Sequence, residues 1–123
     1  MAKEVAVITD EVIKVLSLSC PVNTPIYIGE SNIKHMKDKH SDDYQKYSPY
    51  IETILTSPHY VGINHKDGSI EYVREFEIDN EYVKVAVRVS LSGKYFARSL
   101  YVLNPKRVRN FIAKGTLKSL TKK

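Results

Sequence analysis

The chain has 123 residues, 42% apolar and 27% charged, which is the composition of one folded domain and not of a disordered segment. Its single cysteine, Cys20, excludes an intrachain disulfide and a cysteine-based zinc site, and no apolar run approaches the ~18 residues of a membrane span. The net charge of +5 conceals an asymmetry: residues 1–81 carry eight Lys/Arg against fourteen Asp/Glu, and residues 82–123 carry eleven Lys/Arg with no acidic side chain.

The first residues lack the apolar stretch of a secretory signal, so a cytoplasmic location is expected. Ends frayed at 1–6 and 117–123 are expected around a single domain. Thr9 as N-cap, Asp10 and Glu11 in the first turn, and Val12, Val15 and Leu16 on one face predict a helix over 9–19. Residues 20–24 read as a loop and 25–29 (PIYIG) as a short strand. Ser31 caps a helix through Ile33, Met36 and Lys37. Ser41-Asp42-Asp43 starts another, and Ser48-Pro49 restarts it, with Tyr50, Ile51, Ile54 and Leu55 as its apolar stripe.

From residue 59 the apolar period changes to two. Strands are expected at 59–63, 69–78, 81–90 and 94–103, with Asp79-Asn80 and Ser92-Gly93 as two-residue hairpin turns. Asn104-Pro105 opens a last helix and Gly115 closes it. The order predicts an α+β fold: N-terminal helices packed on a four-stranded antiparallel β-sheet, followed by a C-terminal helix.

These turns fix a register. Glu75 should face Lys84, and Glu71 should face Arg88. Across the second turn Ser90 should face Tyr95, Arg88 Ala97, Ala86 Ser99, and Lys84 Tyr101. All of these share one face, while Val83, Val85, Val87 and Val89 line the other, with Phe96, Leu100, Val102, Ile70, Tyr72 and Phe76. Arg74 and Arg98 fall on that apolar face, where a charge must be paired or reach the rim. A pair with a helix carboxylate such as Glu30 is one reading, and an anion site between helix and sheet is the other.

The all-cationic last third points to a polyanionic partner, nucleic acid before a membrane surface. Lys106, Arg107 and Arg109 sit in the first turns of the last helix, where the helix dipole disfavours cations, so an anion bound there would explain them. His35 and His40 lie five apart, about 140° around a helix, which is not the spacing of a zinc-binding pair; no metal or other cofactor is expected. His59 and His65 read as strand-edge and loop residues. Histidine beside a cationic sheet suits metal-free RNA cleavage: imidazole serves as acid or base near neutral pH, and arginine grips phosphate oxygens. Nine tyrosines and no tryptophan supply surfaces on which bases can stack.

The segments 26–40 (IYIGESNIKHMKDKH), 51–61 (IETILTSPHYV), 85–90 (VAVRVS) and 96–102 (FARSLYV) resemble, as an ordered set, phage- and mobile-element-associated domains of the barnase–EndoU–colicin–RelE (BECR) nuclease superfamily. The resemblance covers about residues 25–118, leaving 1–24 as an N-terminal helical extension and 119–123 as a basic tail. It implies helices on a four-stranded antiparallel sheet and a metal-independent endoribonuclease of toxin or effector type, cutting tRNA, rRNA or mRNA by 2′-hydroxyl attack to leave a 2′,3′-cyclic phosphate. The helix motif maps to His35, closed by His40, and the strand motif to Arg98, Ser99 and Tyr101, with Arg88 in the preceding strand. By their chemistry, His35 would be acid or base, Arg98 and Arg88 would hold the scissile phosphate, Ser99 would orient a phosphate oxygen, and Tyr101 would stack or donate. A cleft holding His35, Arg98 and Arg74 is the first expectation for the reaction centre. The face with Lys84, Arg88, Ser99 and Tyr101 would be the RNA track, joined by Lys106, Arg107 and Arg109. Two other readings stay open: a non-catalytic nucleic-acid-binding module, and a mobile-element protein that binds and inhibits a host protein. A neutralising protein partner and the second proton-transfer group also stay open.

Overall fold

The computed structural model describes residues 2–120. In chain order the elements are β1 (Lys3–Ile8), α1 (Asp10–Leu16), β2 (Thr24–Ile28), α2 (Glu30–Lys39), α3 (Ser41–Tyr47), a 3-10 turn (Ser48–Tyr50), α4 (Ile51–Thr56), β3 (Tyr60–Ile63), β4 (Ile70–Phe76), β5 (Glu81–Val89), β6 (Tyr95–Leu103), α5 (Pro105–Lys114) and β7 (Leu117–Ser119).

The helix ends follow from local chemistry. Thr9 Oγ1 accepts the Val12 N–H at 3.3 Å to start α1, and Ser17 closes it in the left-handed region. Asn104 Oδ1 accepts the Lys106 N–H at 2.8 Å, Pro105 takes the first helical position, and Gly115 at φ 81 ends α5.

The sheet has seven strands in the order β1-β2-β6-β5-β4-β3-β7, where four were expected. The expected fraying at 1–6 is corrected by β1, an edge strand antiparallel to β2 that buries Ala6 and Ile8. Residues 1–24 are therefore no purely helical extension. At the other edge β7 pairs with β3, and Leu120 is buried in the core, so the expected tail does not begin at 119. Residues 121–123 of that tail lie outside the described residues.

The β4–β5 turn is four residues, Glu77 to Asn80, with Phe76 opposite Glu81. This shifts the pairing by two from the expected register, so every side chain keeps its face but changes its partner: Glu75 meets Tyr82 and Glu71 meets Ala86. Across β5 and β6 the expected pairs Lys84–Tyr101 and Ala86–Ser99 are present. A bulge then intervenes, since Val87 pairs with Ala97 and Arg98 is left without a partner. Beyond the bulge the register is Arg88–Phe96 and Val89–Tyr95, not Arg88–Ala97 and Ser90–Tyr95.

One face of the sheet, the inner face, carries Ile8, Ile26, Tyr72, Val83, Val85, Val87, Ala97 and Leu100 in the main core, with Met36 of α2, Tyr47 of α3 and Ile51, Ile54 and Leu55 of α4 packed on it. The other, outer face carries a smaller cluster, Val73, Leu103, Val108 and Leu117, under α5. Helix α5 thus covers only part of the outer face. Two anchors fix α3. The Tyr47 hydroxyl donates to Glu81, and Lys46 bridges Asp79 at 2.6 Å and Glu81 at 3.0 Å. Strand β2 pairs with β6 only at Tyr95 and Phe96, in parallel; farther along β6, Asp43 of α3 accepts the Val102 N–H at 3.0 Å.

Candidate nucleic-acid site

Where the cover of α5 ends, the outer face holds a buried ion pair. Glu71 on β4 and Lys84 on β5 are diagonal neighbours in the ladder, 7% exposed each, and Lys84 Nζ lies 2.9 Å from Glu71 Oε2. The side-chain amide of Asn64 donates to the same oxygen at 3.3 Å. Lys84 Nζ also stands 4.8 Å from the centroid of the Tyr101 ring, an attractive cation–π placement. Burial pulls the Lys84 ammonium pKa down most strongly, but the Tyr101 hydroxyl and the Glu71 carboxylate together outweigh it, and the net shift is upward.

The imidazole of His40 stacks on Tyr101, ring centroids 4.7 Å apart and planes at 24°. His40 reaches it because the chain leaves helical geometry between α2 and α3, at φ −143 and ψ 65. Next to Tyr101 a cavity of about 370 Å³ opens between the sheet, α5 and the β3–β4 loop. Its polar lining includes His65, Lys66, Glu71, Lys84, Tyr101 and Arg107. One imidazole, His65, a paired buried cation, two further cations and the Tyr101 phenol line the opening, and a second imidazole, His40, adjoins it through its stack on Tyr101.

The sequence-expected residues divide into three groups. Tyr101, Lys84 and Arg107 line this cavity, and His40 stacks on Tyr101 beside it. Ser99, half-buried, and Arg88, exposed, continue the same face, and Arg88 Nη1 lies 3.6 Å from Asp67 Oδ2 of the β3–β4 loop. His35 and Arg98 lie along α2 and β6: His35 is exposed, one turn on from Ser31, which lines a hollow of about 220 Å³ with Asn32, Phe96 and Arg98.

Two expectations are corrected. Arg98 is not on the apolar face, because the bulge turns it out into solvent and gives the core position to Ala97. Arg74 does not join His35 and Arg98. Its guanidinium donates to the Ser57 carbonyl and lies 5.9 Å from the centroid of the Phe76 ring. Lys106 and Arg109 are exposed on α5 and do not line the cavity; Arg109 is within electrostatic reach of Tyr82 instead.

Sequence reasoning missed Glu71, Asn64, His65 and Lys66 as parts of the site. Alternation places Glu71 and Lys84 on one face, but a two-residue turn would pair Glu71 with Arg88, and the four-residue turn sets it diagonal to Lys84 instead. No local signal marks His65, since a fold-back of the β3–β4 loop is what brings it to the opening. His59 stays structural: its Nδ1 accepts the Glu75 N–H at 3.0 Å, and burial, then Arg74, hold its imidazole below the usual histidine value.

No helix among the described residues is long and apolar enough to cross a membrane. Comparison with curated proteins and with solved structures finds no match. The family described as phage-Barnase-EndoU-ColicinE5/D-RelE like nuclease 3 matches residues 3–110, nearly the whole sheet and the helices around it. The chain therefore belongs to this phage-associated family of the BECR nuclease superfamily, and nucleic acid is the class of substrate that membership implies.

Proposed function

We propose that the domain is a metal-independent endoribonuclease with its reaction centre at the outer-face cavity beside Tyr101. The observation that carries this reading is the chain of contacts His40–Tyr101–Lys84–Glu71, whose last three members line a cavity with His65 and Arg107, in a chain of a nuclease family.

In the reaction the ribose 2′-oxygen attacks the neighbouring phosphorus and the bond to the 5′-oxygen breaks, leaving a 2′,3′-cyclic phosphate and a free 5′-hydroxyl. One group must take the 2′ proton and another must give a proton to the leaving oxygen. We assign His40 and His65 to this pair, because an imidazole can take or give a proton in neutral solution, His65 lines the opening and His40 stacks on the Tyr101 ring beside it. Lys84 and Arg107 oppose the charge that grows on the phosphoryl oxygens. Glu71 holds Lys84 in place, and Tyr101 orients His40 and offers a hydroxyl to a phosphate oxygen. His35, Arg98, Ser99 and Arg88 belong to the track along which the RNA lies. Lys106 and Arg109 contribute at longer range by attracting the polyanion. The biological reading is a phage effector or toxin acting on cytoplasmic RNA.

Purified protein with total tRNA and rRNA in EDTA tests this. The wild type should release ends carrying 2′,3′-cyclic phosphate, and His40→Ala should be slower by about 100-fold or more. A requirement for a divalent metal, or an unimpaired His40→Ala, would sink the mechanism. RNA bound but not cut would favour a binding module. Neither binding nor cutting would favour a protein that acts on another protein.

A further inference from the structure

The part of the outer face that α5 leaves uncovered ends in an aromatic pair with cations on it. Tyr27 of β2 and Phe96 of β6 are ladder neighbours, ring centroids 5.9 Å apart, and neither belongs to the two apolar clusters. Phe96 is there because of the bulge at Arg98. A continuous register would put Phe96 in the core; the extra residue gives that place to Ala97 and turns the phenyl ring, half-buried, to the outer face.

The same bulge releases Arg98 beside Phe96, where it makes no hydrogen bond or ion pair among the described residues. Lys94 Nζ stands 5.3 Å from the centroid of the Tyr27 ring. The acids nearby are Glu4, across from Tyr27 on β1, Glu30, in the first turn of α2 between Gly29 and Ser31 of the Arg98 hollow, and Asp67, already close to Arg88. The patch is continuous with the cavity, since Arg88, the ladder partner of Phe96, lies four residues along β5 from Lys84, a span of about 13 Å.

We infer that Tyr27 and Phe96, with Arg98 and Lys94, form a stacking subsite for an unpaired nucleobase and its phosphate next to the cut. Aromatic faces accept any base, and the cations meet the backbone that links it to the cavity. A base inside a duplex has no free face to offer. The substrate class is therefore RNA that is single-stranded on this side of the scissile bond. The inference rests on the nuclease reading for the position of the cut.

The test uses a single-stranded oligonucleotide with 2′-deoxyribose throughout, so that it binds without being cut. An abasic residue is placed at successive positions, and dissociation constants are measured for the wild type, Phe96→Leu and Arg98→Gln. One abasic position should weaken wild-type binding by about ten-fold, the size of one base–aromatic stack. Phe96→Leu should lose the same factor on the intact strand and become indifferent to that abasic position, with an unchanged melting temperature. Arg98→Gln should weaken binding and flatten its salt dependence. Wild-type affinity in Phe96→Leu, or persisting discrimination of the abasic strand by that variant, would overturn the subsite. Cleavage is scored separately on RNA: discrimination without cleavage keeps the subsite and removes the nuclease, and cleavage without discrimination does the reverse.

Discussion

Replacing Lys84 by Met, Glu71 by Leu, or both at once separates the stability of the site from its chemistry. At 2.9 Å the two charges attract by about 6 kcal/mol at an effective dielectric of about 20. Taking each ion out of water costs several kcal/mol, so the pair adds little net stability against a well-packed apolar pair. Removing one partner is different, because it strands the other charge where the side chains are only 9% and 10% exposed. Lys84→Met leaves Glu71 with the Asn64 amide alone and should cost about 3–5 kcal/mol. Glu71→Leu leaves Lys84 over the Tyr101 ring, a residual attraction of about 2 kcal/mol at a desolvated site, and should fall at the low end of that range. The double variant should lie within about 1 kcal/mol of the wild type, far from the sum of the singles. Urea unfolding with a common m-value is the assay. Singles costing under 1 kcal/mol each, or a double variant equal to their sum, would refute the reasoning, since either would mean that the charges are solvated independently. The double variant should fold and yet cleave no RNA.

Gly62 has a packing reason. A Cβ there would stand 2.2 Å from the Thr116 carbonyl oxygen and 3.1 Å from Leu117 Cδ2, so Gly62→Ala should cost about 1–3 kcal/mol and expose the β7 amides to faster hydrogen exchange. Wild-type protection in β7 would show that the close approach is not needed. His59 predicts a pH dependence. Its folded-state pKa lies below the unfolded value of about 6.5, so its share of stability is complete above that pH and is lost as pH falls through the folded value. Urea unfolding between pH 7.5 and 5 should show the loss, and His59→Gln should make the slope shallower; an equal slope would contradict the assignment.

How much was legible depended on whether a signal was local. Thr9, Pro105 and Gly115 mark helix ends through caps that involve their own neighbours, and these elements appear within a few residues of where they were expected. The alternation of β5 holds although its turn to β4 has four residues and not two, because a shift of two keeps every side chain on its face. The edge strands were illegible for a topological reason: β1 meets β2 only across α1, and β7 has three residues whose partner is made possible by the bare Cα of Gly62. The bulge at Arg98 could not be read either. It reflects a choice between Phe96 and Ala97 for one core position, which the alternation of the strand does not decide. That one residue moved Arg98 out of the expected cleft and Phe96 out of the expected core. The site was partly legible for the same reason. Lys84 and Tyr101 sit in one ladder pair, but Glu71, Asn64 and His65 depend on loops whose lengths alternation does not specify.

The central claim is attack by a ribose 2′-hydroxyl, without a metal, at the cavity beside Tyr101. A DNA oligonucleotide with one ribonucleotide inside it isolates that step. In EDTA the account predicts a single cut, at the phosphate on the 3′ side of the ribonucleotide, with a 2′,3′-cyclic phosphate on the new end and no cut by His40→Ala. Cutting at deoxyribose positions, cutting only after a divalent metal is restored, or equal cutting by His40→Ala would contradict it.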